Sequence, residues 1–189
     1  MSIIDDVFMP IYGKPCWSVQ PSLGSSLNFN FGDPRLVIKE PREPKPSAST
    51  EANRRRARRE VSVRGAWQLW ISFCGWRFYS HDDEIGTSIS PKDDIDKVIA
   101  EVDGQALVQV VVEEDGVTIF KFDLGGWLET YPVVTPDDSE ETMDCWTLFE
   151  PSGMAFTLRK DGKYLHKPGK ARSTDEDWLA LFPKPSNTA

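Results

Sequence analysis

Between Val61 and Tyr79 the chain runs Val-Ser-Val-Arg-Gly-Ala-Trp-Gln-Leu-Trp-Ile-Ser-Phe-Cys-Gly-Trp-Arg-Phe-Tyr, and no other stretch limits the fold as strongly. Its odd positions, Val61, Val63, Gly65, Trp67, Leu69, Ile71 and Phe73, form an unbroken apolar face at a period of two. The even positions begin polar at Ser62, Arg64 and Gln68, then turn apolar at Trp70, Cys74, Trp76 and Phe78. Period-two alternation rich in aromatic and β-branched residues predicts a strand. The late switch predicts burial on both faces, or a bulge near Gly75 that changes the register. Three of the seven tryptophans fall here, so this is expected to be the central strand of a β-rich core.

The flanking sequence repeats the theme. Residues 1–14 read as a lead-in, followed by strands over Cys16–Gln20, Ser25–Phe31 and Arg35–Lys39, with Gly24 and Gly32-Asp33-Pro34 supplying the turns. Leu27, Phe29 and Phe31 alternate with Ser26, Asn28 and Asn30, a one-face-in pattern. One amphipathic helix stands out. Ser90 is a suitable N-cap, Pro91 fits the first turn, and Ile95, Val98, Ile99 and Val102 share a face before Gly104. Strands are then expected over Gln105–Glu113, with Ala106, Val108, Val110 and Val112 on one face, and over Val117–Leu124 and Trp127–Val134. Cys145–Phe149, Met154–Arg159 and Lys163–His166 form a meander, and Ser173 or Thr174 can cap a last short helix through Asp177, Trp178, Leu181 and Phe182. The fold class is therefore mainly β (α+β): an antiparallel sheet, sandwich or partly open barrel with one amphipathic helix and a short C-terminal helix. Residues 1–189 are expected to form a single domain.

Residues 40–60 break the pattern. The prolines Pro41, Pro44 and Pro46 and the small polar residues offer no apolar face, so a mobile Pro/Arg-rich loop is expected. A short arginine-rich helix within Thr50–Glu60 would be solvated all round. Charge divides the same way. From Arg42 to Arg64 the net charge is +5, while the remainder of the chain carries −13 against an overall −8. An acidic body repels phosphate, which disfavours nucleic acid as a general partner and favours a basic protein. The five arginines within Arg54–Arg59 leave phosphate contact at that one segment open.

Signatures of chemistry are missing. Cys16, Cys74 and Cys145 are widely spaced without a Cys-x-x-Cys pair and each lies within two residues of a tryptophan, as expected of buried thiols. The two histidines are His81, in the run His81-Asp82-Asp83-Glu84, and His166, beside Lys167. Neither has the helical i, i+4 spacing of a metal face, and no nucleophile elbow or phosphate-binding glycine loop is present. No cofactor and no metal site is predicted. The opening Met-Ser-Ile-Ile-Asp-Asp is acidic where a secretory signal is basic, and no apolar run reaches the length of a membrane span. A soluble, cytoplasmic protein without membrane contact is the expectation, its oligomeric state left open.

Several phrases form a set: Gly13-Lys-Pro-Cys-Trp17, Phe31-Gly-Asp-Pro34, Trp67-Gln-Leu-Trp-Ile71 with Cys74-x-Trp76-Arg77, Phe122-Asp-Leu-Gly-Gly126, and Leu158-Arg-Lys-Asp-Gly162-x-Tyr164. Together they resemble a family of small bacterial β-rich proteins with no established activity, over about residues 11–169. The resemblance implies a bacterial origin and a single domain, and carries no catalytic residues. Small acidic β-rich proteins of this kind are similar, by analogy alone, to toxin-immunity proteins.

Two functions follow as expectations. The first is a non-enzymatic intracellular binding protein, of immunity type by that analogy, engaging a basic protein through Asp82, Asp83, Glu84, Asp137, Asp138, Glu140 and Glu141. The second is a small-molecule-binding barrel or an enzyme with a pocket lined by Trp67, Trp70, Trp76 and Trp127.

Overall fold

A computed structural model describes residues 2–22, 24–133 and 143–182. Among the described residues twelve strands lie in two antiparallel sheets, so the chain is mainly β, as expected, and these sheets do not close into a barrel. The larger sheet contains β1 (Cys16–Pro21), β2 (Leu27–Lys39), β3 (Glu60–Ile71), β9 (Asp144–Phe149), β10 (Met154–Arg159), β11 (Lys163–Pro168) and β12 (Leu179–Ala180), side by side in that order. The smaller contains β4 (Gly75–Ser80), β5 (Asp83–Thr87), β6 (Leu107–Val112), β7 (Thr118–Phe122) and β8 (Gly126–Tyr131), in the order β5-β4-β8-β7-β6.

Their facing sides make one core. Phe29 of the large sheet stacks on Phe122 of the small one, and Trp146 meets Phe120 edge-on. Trp146 is fully buried, and its indole N–H donates to Thr118 Oγ1 across the core at 3.0 Å. Each buried aromatic of this kind contributes about 1.5–3 kcal/mol by leaving water.

The Val61–Tyr79 stretch is two strands and not one. β3 lies inside the large sheet, Ser72–Cys74 crosses over, and β4 joins the small sheet. The change of phase in the sequence is this crossing. Leu69 and Ile71 face the core from one sheet, and Trp76 and Phe78 face it from the other. Trp70 points to the outer side of the large sheet, edge-on to Phe149.

Residues 1–14 are not a lead-in. Helix α1 (Ile3–Phe8) opens with a reciprocal cap between Ser2 and Asp5, and Ile4, Val7, Phe8 and Ile11 are buried at helical spacing. Helix α3 (Lys92–Val102) starts one residue later than Ser90 and Pro91 suggest, because Ser90 Oγ accepts from Thr87 N in the preceding turn. Its Val98 and Val102 are buried as expected. In β6 a bulge between Leu107 and Gln109 shifts the phase, so Leu107 and Val110 face inward and Val108 is exposed. The C-terminal helix is a single 3-10 turn, Asp175–Asp177, capped by Thr174 as expected. It stops there because Trp178 turns back over Arg159, at 4.6 Å, and β12 then pairs with β11.

Candidate functional site

Side chains on β4 and β8 alternate between the core and the outer face of the small sheet. Trp76, Phe78, Leu128 and Thr130 go inward, which leaves Arg77, Tyr79, Trp127, Glu129 and Tyr131 outward. Tyr79 is directly opposite Trp127, and their rings stack at 3.9 Å with 6° between planes. Glu84 of β5 lies on the other side of Tyr79, and Lys121 of β7 on the other side of Trp127. One row across four strands therefore reads Glu84, Tyr79, Trp127, Lys121. Beside it Arg77 lies 4.9 Å above the Tyr131 ring, and contact with Tyr131 first and Tyr79 second raises its guanidinium pKa.

The acidic end of the row is the β4–β5 turn. His81 takes φ 56°, its backbone N–H donates to Gly125 O at 2.9 Å, and its carbonyl accepts the Trp127 indole N–H at 3.3 Å. A Cβ on Gly125 would come within 3.0 Å of the His81 ring, so the close approach of these turns needs glycine there. The turn thus fixes Trp127 against Tyr79 and presents Asp82, Asp83 and Glu84 to solvent. Among the described residues none of these three carboxylates is in an ion pair. Glu101 of α3 joins them by accepting from Ser80 Oγ at 2.8 Å. Next to Trp127 an open concavity of about 310 Å³ is lined by Ile119, Lys121, Phe122, Gly125 and Gly126.

The four tryptophans of the expected pocket do not come together. Trp76 is sealed in the core with its N–H on Ser25 O, Trp70 is on the outer side of the large sheet, and Trp67 packs against the core from β3. Only Trp127 belongs to the outer face of the small sheet. Trp67 and Trp70 sit at odd spacing on β3 and so fall on opposite faces of the large sheet, and the crossing at Ser72–Cys74 gives Trp76 to the small sheet. Of the expected acidic surface, Asp82, Asp83 and Glu84 stand together, while Asp137, Asp138, Glu140 and Glu141 lie outside the described residues. Tyr79, Lys121 and Glu101 are additions. Tyr79 was legible as the outward partner of inward Phe78, but the pairing with Trp127 spans 48 residues and has no local signal.

His166 faces Glu150 at 2.5 Å, and Ser152 Oγ donates to the other oxygen of the same carboxylate at 3.0 Å. The carboxylate stands between hydroxyl and imidazole, so the imidazole is not positioned to take the serine proton. All three cysteines are buried, as expected. Burial pushes the Cys16 thiol up to about 12, and Cys74 is raised by its hydrogen-bonded neighbour Cys145 and by burial. Among the described residues no group of His, Cys, Asp or Glu could hold a metal ion, and no helix is long and apolar enough to cross a membrane. No family model, no curated protein and no solved structure matches this chain.

Proposed function

We propose that the protein is a non-enzymatic binding protein that receives a basic protein partner on the outer face of its small sheet. The observation that carries this reading is the row Glu84–Tyr79–Trp127 with the exposed carboxylates of Asp82 and Asp83 at its edge. An aromatic surface beside anionic groups attracts a lysine or arginine side chain twice over, through the ring face and through charge. The remaining −13 outside the Arg42–Arg64 segment would speed encounter with such a partner and make binding salt-sensitive. An immunity-type inhibitor is one form this function takes. The bacterial origin and cytoplasmic location expected from the sequence belong to the same proposal.

The test is chemical cross-linking in the native host, comparing the wild-type chain with Trp127→Ala and with the triple variant Asp82→Asn, Asp83→Asn, Glu84→Gln. A basic protein captured by the wild type and lost from both variants is the expected result. Capture that survives both variants, or no protein captured at low as well as physiological salt, overturns the reading. The concavity beside Trp127 supports a second reading, a small planar ligand lying against the indole. Quenching of Trp127 fluorescence by such a compound, unaffected by the triple variant, would favour it.

A further inference from the structure

Strands β2 and β3 outrun both sheets. β1 ends its pairing with β2 at Phe31, and β9 meets β3 only over residues 68–71, so among the described residues 34–39 and 60–65 pair with each other alone. They form a two-stranded arm about 20 Å long. Its tip is the 40–59 segment, where helix α2 (Thr50–Arg56) is capped by Ser49 and buries no residue.

The arm is apolar on one face by construction. Leu36 is opposite Val63 and Ile38 opposite Val61, and the four are 67%, 53%, 59% and 53% exposed in the order Leu36, Val63, Val61, Ile38 with Ile38 and Val63 equal. A bulge between Phe31 and Pro34 puts one extra residue into β2. Without it Leu36 and Ile38 would leave the face of Phe29 and Phe31, and Arg35 would take their place. With it the core face of β2 and β3 continues along the arm, past the point where the small sheet stops covering it. The opposite face carries Arg35 directly across from Arg64, a pairing that is unfavourable unless something anionic lies near. At the tip a cleft of about 270 Å³ is lined by Lys39, Arg42, Arg55, Arg56 and Arg58 with Glu40 and Glu60. Residues 33–64 carry ten basic and five acidic side chains, and the rest of the chain carries −13.

We infer that this arm is a self-association element, its occupant being the same arm of a second copy. In a two-fold pair the apolar faces of two antiparallel arms cover each other, and each basic tip is carried back toward the acidic body of the other copy. The charges choose this occupant. Phosphate has nothing to gain from four aliphatic side chains, whereas a second copy offers a matching apolar stripe and an acidic surface at once. Four side chains fall short of the roughly 800 Å² per partner of a stable interface, so the tip contacts must contribute. The dimer is accordingly weak and salt-dependent, with Kd on the order of micromolar.

Sedimentation velocity of the full chain, over micromolar to millimolar concentrations at low and high salt, tests this. The expected result is a monomer–dimer equilibrium that shifts to monomer in high salt. The double variant Leu36→Gln, Val63→Thr keeps strand-compatible side chains and should raise Kd by at least about tenfold, with the thermal midpoint of the dilute monomer unchanged. Arg54→Gln with Arg58→Gln should remove most of the salt dependence. A chain that stays monomeric up to millimolar concentration at low salt overturns the inference, as does a dimer indifferent to the Leu36/Val63 variant. Binding of a labelled single-stranded oligonucleotide by the monomer, lost in the Arg54/Arg58 variant, would also overturn it and assign the tip to phosphate.

Discussion

The two halves of the β2–β3 hairpin are built on the same alternation and meet opposite fates. In the inner half Phe29 and Leu69, directly paired, are 1% and 0% exposed, because they lie in the core between the sheets, where Phe122 of the small sheet stacks on Phe29. In the outer half Leu36 and Val63 are paired in the same way on the same face and stand in solvent. Alternation specifies that a face is to be covered. What covers it is decided by residues far away in sequence, or by another molecule. The sharpest way to break this comparison is to truncate both halves. Phe29→Ala is expected to cost about 3–5 kcal/mol of unfolding free energy, the usual price of a buried aromatic and the cavity it leaves. Ile38→Ala should change the dilute monomer by no more than about 0.5 kcal/mol, as at other exposed sites. Urea unfolding of both variants measures the difference, and equal losses would show that the arm is packed like the core.

This contrast also marks what was legible in the sequence. Most strand positions, the α3 face and the burial of the three cysteines follow from local periodicity and composition, and they hold. The turn expected at Gly32-Asp33-Pro34 is instead a bulge inside one strand, Leu27–Lys39, because β3 pairs with the chain on both sides of it. The α1 helix was missed although Ser2 with Asp5 and the spacing of Ile4, Val7, Phe8 and Ile11 state it locally. The crossing at Ser72–Cys74 was visible only as a change of phase, since a bulge and a change of sheet leave the same trace at a period of two. The site was half legible. Asp82, Asp83 and Glu84 could be named as exposed acids, but the aromatic row depends on the register between β4 and β8, which no local pattern contains. The tryptophans misled because alternation gives the phase of a side chain and not the surface that it reaches.

A second excursion from the sheets, residues 169–178, behaves unlike the arm. It is drawn back by Arg159, whose side chain is only 4% exposed and pairs with Asp161 at 2.5 Å and Asp175 at 3.0 Å beneath Trp178. Arg159→Met should cost about 1.5–3 kcal/mol, the range for hydrogen bonds to charged groups. It should also free Trp178, read as a red shift of its emission. Acid tests the same anchor. Burial alone would raise the Asp161 carboxyl, but its bonds and charge contact with Arg159 carry it below the usual range. A folded pKa below the unfolded one gives stability that is complete above about pH 4–5 and is lost as pH falls through the folded value. The thermal midpoint of the wild type should therefore fall on acidification more steeply than that of Arg159→Met. Parallel pH profiles would mean that Arg159 does not hold the segment through Asp161.

The junction between the two halves can be strained directly. A Cβ on Gly65 would lie 2.7 Å from the backbone N and O of Phe31, a contact that only a shift of one strand relieves. Gly65→Ala is expected to cost about 1–3 kcal/mol, as overpacking does elsewhere. Because Gly65 is opposite Pro34 at the bulge, the substitution should also disturb the phase of the arm more than the inner half. Amide hydrogen exchange would show faster exchange at Val61 and Val63 with Leu69 protected as before. Uniform acceleration over both halves would remove the distinction between arm and core.

The smallest effect is expected at the tip. Residues 41–58 are bonded chiefly to themselves: Arg42 N donates to Arg56 O, Asn53 bonds both ways with Lys45, and Arg56 Nε donates to Glu43 O. The short arginine-rich helix considered within Thr50–Glu60 is present as α2, and it buries nothing, as a helix solvated all round should. Replacing residues 41–58 with a short Gly/Ser turn keeps the pairs Lys39–Glu60 and Glu40–Arg59 at the end of the arm. The change in loop-closure entropy grows only slowly with length, so unfolding free energy should move by about 1 kcal/mol or less. Measuring at high salt screens the exposed charge pairs and isolates the structural contribution. A thermal midpoint that collapses there would show that the tip organises the arm, and that the outer half of the hairpin depends on its own end for its form.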